Sequence, residues 1–157
     1  MKIHPLQQEF DRHYKEMNDL YHETARALGL SDSAQMILYT LCELGDGCLQ
    51  KDICARCFLT KQTVHSAVRK LEKEGIVTLT AGKGRDMHLS LTESGRMLTE
   101  QTIVPLIDAE SCTMDALTTE EQAALLRLTG KYLSALRQEM SKLTHESKES
   151  SHAHSVI

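Results

Sequence analysis

LQKDICARCFLTKQTVHSAVRKLEKEGIVTLTAGKGRDMHLSLT, residues 49–92, reads as helix, tight turn, helix and two-stranded hairpin. Its second helix, residues 61–73, sets Val64, Ala67, Val68 and Leu71 at i, i+3, i+4 and i+7, one apolar stripe at the helical period. At about 100° per residue, Gln62, Ser66, Arg69 and Lys73 point away from that stripe, with Thr63, His65 and Lys70 on its shoulders. A helix with a buried back and such a polar face fits a DNA major groove, where Gln62, Thr63, His65, Ser66 and Arg69 would meet base edges. Thr60, Lys61, Lys70 and Lys73 would meet phosphates. His65 is placed either against the nucleic acid or in solvent.

Charge is distributed to match. Residues 50–96 hold nine basic side chains against five acidic ones, a local charge of +4, so the net −4 of the chain leaves −8 on the remainder. A basic centre between acidic ends suits a groove-binding unit on a scaffold that keeps away from phosphate.

Working outward from the centre, Thr60 is a natural N-cap for the second helix and Gly75 a natural stop. Residues 76–80 and 87–91 are strand-prone, and Ala81 to Asp86 joins them as a basic, glycine-containing tip. Lys83 and Arg85 at that tip could follow a phosphate backbone or enter a narrow minor groove. Before the centre, Asp32 with Gln35 reads as a capping box for a helix over about 33–44, with Ala34, Ile37, Leu38, Leu41 and Cys42 inward. A first helix over 5–28 carries Leu6, Phe10, Tyr14, Met17, Tyr21 and Leu28 as a stripe, read as core packing or as a subunit interface. After the hairpin, Thr92 caps a helix to about Asp115 that Pro105 should kink. Thr118 with Glu121 forms a second capping box, opening a helix striped by Leu125, Leu128, Tyr132, Leu136 and Met140. Residues 144–157 show no periodicity and are read as a disordered tail.

A length of 157 residues fits one well-buried core, and 4% aromatic content without Trp offers no stacking platform for single strands. Residues 1–10 lack the apolar run of a secretory leader and no segment approaches a membrane span, so a cytoplasmic location with reduced thiols is expected. No catalytic constellation or phosphate-binding glycine loop is present, which argues against an enzyme. A winged-helix module that binds protein with the same face is the alternative of a different class.

The order of elements resembles the MarR family of winged helix-turn-helix transcriptional regulators. The residues that carry the likeness are Gln50-Lys51-Asp52-Ile53, Leu59-Thr60-Lys61-Gln62-Thr63-Val64, Arg69-Lys70-Leu71-Glu72-Lys73-Glu74-Gly75-Ile76-Val77 and Leu91-Thr92-Glu93-Ser94-Gly95. The resemblance implies a mainly α fold with a small β wing. Residues 1–30 and 93–143 would form a dimerisation region, and residues 31–92 the DNA-binding region. It also implies a homodimer on a pseudo-palindromic operator, a repressor, and a small aromatic effector; no cofactor is expected. Two positions depart from the family pattern. Lys83 stands where many members have an acid that partners the wing arginine, here Arg85, and Phe58 occupies a turn position that is frequently small.

Cys54-Ala55-Arg56-Cys57 is a C-x-x-C, but no second pair or His pair completes a metal site, so Cys54 and Cys57 read as buried structural thiols. A thiol or metal switch is the alternative, with Cys48, in a loop, the more reactive candidate. His13, His22, His145, His152 and His154 form no compact ligand set.

Overall fold

The structure, a computed structural model, describes residues 3–84 and 86–153, with side chains described up to residue 144. Among the described residues there are six helices, α1 (Pro5–Ala27), α2 (Asp32–Leu44), α3 (Gln50–Arg56), α4 (Lys61–Lys73), α5 (Glu93–Asp115) and α6 (Thr119–Ala153), and three strands, β1 (Cys48–Leu49) between α2 and α3, and β2 (Val77–Ala81) and β3 (Met87–Leu91) between α4 and α5. The fold is thus mainly helical with a small β wing. Two compact units divide it, Met1–Asp108 and Ala109–Ile157, and the division falls inside α5.

In the first unit the core is built from the inward faces of α2, α3 and α4 together with residues of β2, β3 and α5. Ile37, Leu38, Leu41, Ile53, Val64, Val68, Val77, Leu89 and Ile103 are all essentially inaccessible to solvent. The α4 stripe therefore points inward, with Ala67 half-buried beside it. Both ends of α4 form as their residue types dictate. Thr60 Oγ1 accepts the Thr63 N–H at 3.1 Å, and Gly75 takes the left-handed conformation, φ +72°, that ends the helix.

The sheet has three strands in the order β1-β3-β2, all antiparallel. The sequence predicts only the hairpin. β1 adds two residues, Cys48 opposite Leu89 and Leu49 opposite His88, and two residues cannot display an alternating pattern.

Asp46 locks β1's approach to the sheet. Its carboxylate accepts the Leu91 N–H at 2.8 Å and pairs with Arg96 of α5. Partial burial pushes the Asp46 pKa up, but the Leu91 and Gly47 N–H groups and the Arg96 guanidinium outweigh it and hold the carboxyl below the usual value of 3.8. A folded-state pKa below the unfolded one lends stability that is present in full above about 3.8 and is lost as pH falls through the lower folded value. Asp46→Asn is accordingly expected to unfold at lower urea than the parent at pH 7, with the gap closing below about pH 4; urea titrations at stepped pH check this.

Other local expectations change. The cap of α2 is Ser31, whose Oγ accepts the Ala34 N–H at 3.2 Å, not Asp32. Asp32 is the first helical residue and its carboxylate meets His22 Nδ1 of α1 at 2.9 Å, while Gln35 is buried instead of closing a capping box. The first stripe does not pack into the core of the chain: Leu6, Tyr14 and Met17 are 74%, 57% and 48% exposed, and only Ala25 of α1 is buried. The helix expected after Thr92 forms as α5 with Pro105 inside it.

In the second unit the Thr118–Glu121 capping box forms in both directions. Thr118 N–H donates to Glu121 Oε2 at 2.8 Å, and Glu121 N–H donates to Thr118 Oγ1 at 3.3 Å. Along α6, Leu125, Leu128, Leu136 and Met140 are exposed. The α6 backbone stays helical to Ala153, so it takes in most of the segment read as a disordered tail. Residues 144–153 contain no Pro or Gly, and a helix already nucleated upstream extends at low cost. His154 and the end of the chain lie outside the described residues.

Candidate nucleic-acid interface

The buried back of α4 leaves its other face to solvent. Thr60, Lys61, Gln62, Thr63, His65, Ser66, Arg69, Lys70 and Lys73 are all exposed, so one surface carries every side chain that the helical period assigns to bases and phosphates. These residues are not equally available. The Thr60 and Thr63 hydroxyls lie 2.8 Å apart and hydrogen-bond each other while Thr60 caps the helix, so both also serve the helix start. Arg69 Nη1 donates to Glu72 Oε2 at 2.7 Å, and Lys70 Nζ lies 3.9 Å from Glu74. Lys61 and Lys73 make no ion pair among the described residues.

Glu72 thus competes with an incoming anion for the Arg69 guanidinium. Glu72→Gln removes a negative charge from the face and releases the guanidinium, and DNA affinity is expected to rise about three- to tenfold at low salt, as an exposed pair of about 1 kcal/mol is removed. Anisotropy titration of parent and variant on one duplex reads this out; a fall in affinity would show that Glu72 aims Arg69 at the DNA.

The wing is tied down from α3. Lys51 Nζ donates to Asp86 Oδ2 at 2.9 Å, and this bond, with the charge of Asp86, raises the Lys51 pKa. Asp86 is therefore engaged with Lys51. At the tip, Gly82 N–H donates to Asp86 O at 2.8 Å, Asp86 N–H to Lys83 O at 3.2 Å, and Gly84 has φ +66°. Lys83 is exposed there; Arg85 lies outside the described residues. His88 Nδ1 lies 2.9 Å from Gly47 O, which joins β3 to the turn before β1. Lys51, Asp46 and His88 position the site, and nothing in the sequence around them marks that role. Their partners lie 35 to 45 residues away in sequence, a separation that no local pattern shows.

Four of the five cysteines sit inside the scaffold, and the fifth, Cys112, is exposed. Cys57 is buried, and Cys42, Cys48 and Cys54 are half-buried; all are free thiols. Burial pushes the Cys42, Cys48 and Cys54 thiols up, aided at Cys48 by the carboxylates of Asp52 and Asp46. A raised thiol pKa leaves little thiolate at neutral pH. That runs against Cys48 as a reactive loop thiol, because β1 pairing places it in the sheet. Among the described residues no group of three or more His, Cys, Asp or Glu could hold a metal ion, and no helix is long and apolar enough to cross a membrane.

Residues 28–86, which hold the helix-turn-helix and most of the wing, match the family model described as MarR family. No curated protein matches the chain. Among solved structures, the chain is similar to a MarR family regulator from Neisseria meningitidis, with 20% identity over 89% of this chain and 99% of that one and a TM-score of 0.75. It is also similar to MepR of Staphylococcus aureus in complex with DNA, at 23% identity over 86% of this chain and 99% of that one, with a TM-score of 0.67. A third is the PcaV transcriptional regulator of Streptomyces coelicolor in complex with its natural ligand, at 18% identity over 86% and 99%, with a TM-score of 0.63. At these identities the likeness speaks for the fold. The segment matched by the family model is the one that folds into α2, β1, α3, α4 and β2, so in that segment and in its fold the chain is similar to the MarR family of winged helix-turn-helix regulators.

Proposed function

We propose that this chain is a sequence-specific DNA-binding repressor that acts as a homodimer on an inverted repeat and releases DNA when a small aromatic ligand binds. The observation that carries the reading is the face of α4: a fully polar, net basic surface on a helix whose back is locked into the core. In this reading Gln62, Ser66 and Arg69, with Thr63 and His65 beside them, read base edges. Lys61, Lys70 and Lys73, with the Thr60 end of the helix, hold phosphates, and Lys83 and Arg85 of the wing extend that contact. MepR, a structural neighbour, was solved in complex with DNA, which supports the docking mode.

Dimerisation is supported by the apolar faces of α1 and of α6, each exposed in the single chain. Two-fold symmetry would set two copies of α4 about one helical turn of DNA apart. The ligand reading is supported by PcaV, a structural neighbour solved with its natural ligand. A cavity of about 210 Å³ also lies against α4, walled in part by Leu30, Ser33, Ala34, Ala67, Lys70 and Leu71. A ring-sized ligand there would touch α4 directly and favour one of two DNA-binding states.

Two classes of substitution test the assignment. Lys61→Ala with Lys73→Ala is expected to weaken binding to all duplexes alike and, with two lysines lost from each of two subunits, to reduce the slope of log affinity against log salt by about three to four. Gln62→Ala or Ser66→Ala is expected to leave that slope intact and change which base is preferred at one position of each half-site. Parent-like binding by both classes would remove α4 from the interface.

A further inference from the structure

Phe58 is 95% exposed, the most exposed large apolar side chain among the described residues. It lies in the turn between α3 and α4. Cys57 before it is buried and Leu59 after it packs against the core, so the turn is anchored on both sides and only the Phe58 ring is turned out. Thr60 is the N-cap of α4, and two residues of chain put Phe58 within about 7 Å of it. The N-terminal end of a recognition helix is the part that enters the major groove. The other exposed side chains there, Thr60, Lys61 and Gln62, are polar or cationic. A lone ring in such a setting lacks the contiguous apolar patch that a protein partner would need. It suits an apolar group set among phosphates, and the major groove offers one in the thymine methyl.

We propose that Phe58 is a specificity-determining residue whose ring packs on the C5-methyl group of a thymine in each half-site, next to the bases met by the first turn of α4. The inference rests on the DNA-binding reading above. It extends that reading from polar contacts to an apolar one, which adds sequence preference without adding a phosphate contact.

The test uses the full-length protein and a duplex selected by it from random sequence. Each thymine is replaced in turn by deoxyuracil, which removes only the methyl group, and affinities are measured for the parent, Phe58→Ala and Phe58→Leu. The expected result is one thymine per half-site at which the parent loses about fourfold on demethylation, and about fifteenfold when both half-sites are changed, the worth of one buried methyl each. Phe58→Ala should lose at least as much on the unmodified duplex and be indifferent to deoxyuracil at that thymine. Its salt slope should equal the parent's, and Phe58→Leu should restore part of the methyl dependence. Because the side chain is exposed, the thermal midpoint of each variant should match the parent's.

The proposal is overturned if Phe58→Ala binds as the parent does, or if it binds more weakly yet keeps the parent's full response to every deoxyuracil. A parent that enriches no duplex at all would instead overturn the DNA-binding reading, and this inference with it.

Discussion

Gly95→Ala is expected to destabilise the first unit by about 3 kcal/mol, the upper part of the usual range for forcing extra atoms into a packed site. A Cβ at Gly95 would lie 2.0 Å from the carbonyl oxygen of Ile76 and 3.2 Å from Leu91 Cδ2. The obstacle at Ile76 is backbone, and it cannot rotate away. Nor can the first turn of α5 move back freely, because Thr92 pins it. Thr92 N–H donates to Ile76 O at 3.0 Å, Thr92 Oγ1 donates to Gly75 O at 2.6 Å, and Gly95 N–H donates to Thr92 Oγ1 at 3.0 Å. Relief of the clash therefore breaks the cap that joins α5 to the end of the helix-turn-helix. At fixed protein concentration the urea midpoint should fall sharply with little change in the slope of the transition. An unchanged midpoint would mean that α5 is not seated on Gly75 and Ile76 as described. Gly95 has no positive φ; the close approach, not the backbone conformation, demands glycine.

The second large effect concerns assembly. Tyr14→Glu with Met17→Glu puts two negative charges on the exposed apolar face of α1, where both side chains are largely open to solvent in the single chain. Glu is a good helix former, so the far-ultraviolet circular dichroism should be retained. Burying two carboxylates in a subunit interface costs several kcal/mol, so the variant is expected to sediment as a monomer while the parent sediments as a dimer. With the two half-sites no longer linked, affinity for an inverted repeat should fall by about a hundredfold or more. A variant that remains dimeric would place the interface elsewhere than on this face of α1.

The helix-turn-helix is legible in the sequence because its signals are local. The spacing of Val64, Val68 and Leu71, the Thr60 cap and the Gly75 stop all act within a few residues of one another, and α4 spans Lys61–Lys73 as that pattern predicts. The Thr118 capping box is legible for the same reason. Where a residue type can serve two neighbouring roles the reading slips: Ser31 and Asp32 are both good caps, and the structure uses Ser31. The stripe on α1 is visible, but periodicity cannot say whether an apolar face meets the chain's own core or something outside it. Long-range pairings leave no local trace. β1 against β3, Lys51 with Asp86, and Asp46 with Leu91 and Arg96 each join segments far apart. For the candidate site, the sequence supplies which side chains share the face of α4. It does not show that Glu72 holds Arg69, that Asp86 is engaged by Lys51, or that the Phe58 ring stands clear of the core.

The central claim is that the face of α4 reads duplex DNA. Selection of random duplexes by the purified protein, followed by anisotropy titration of the enriched sequence across salt concentrations, tests it most directly. The expected result is enrichment of an inverted repeat bound by a dimer, with log affinity falling linearly and steeply with log salt as phosphates are neutralised. A folded dimer that enriches no sequence, or that binds with affinity indifferent to salt, would contradict it.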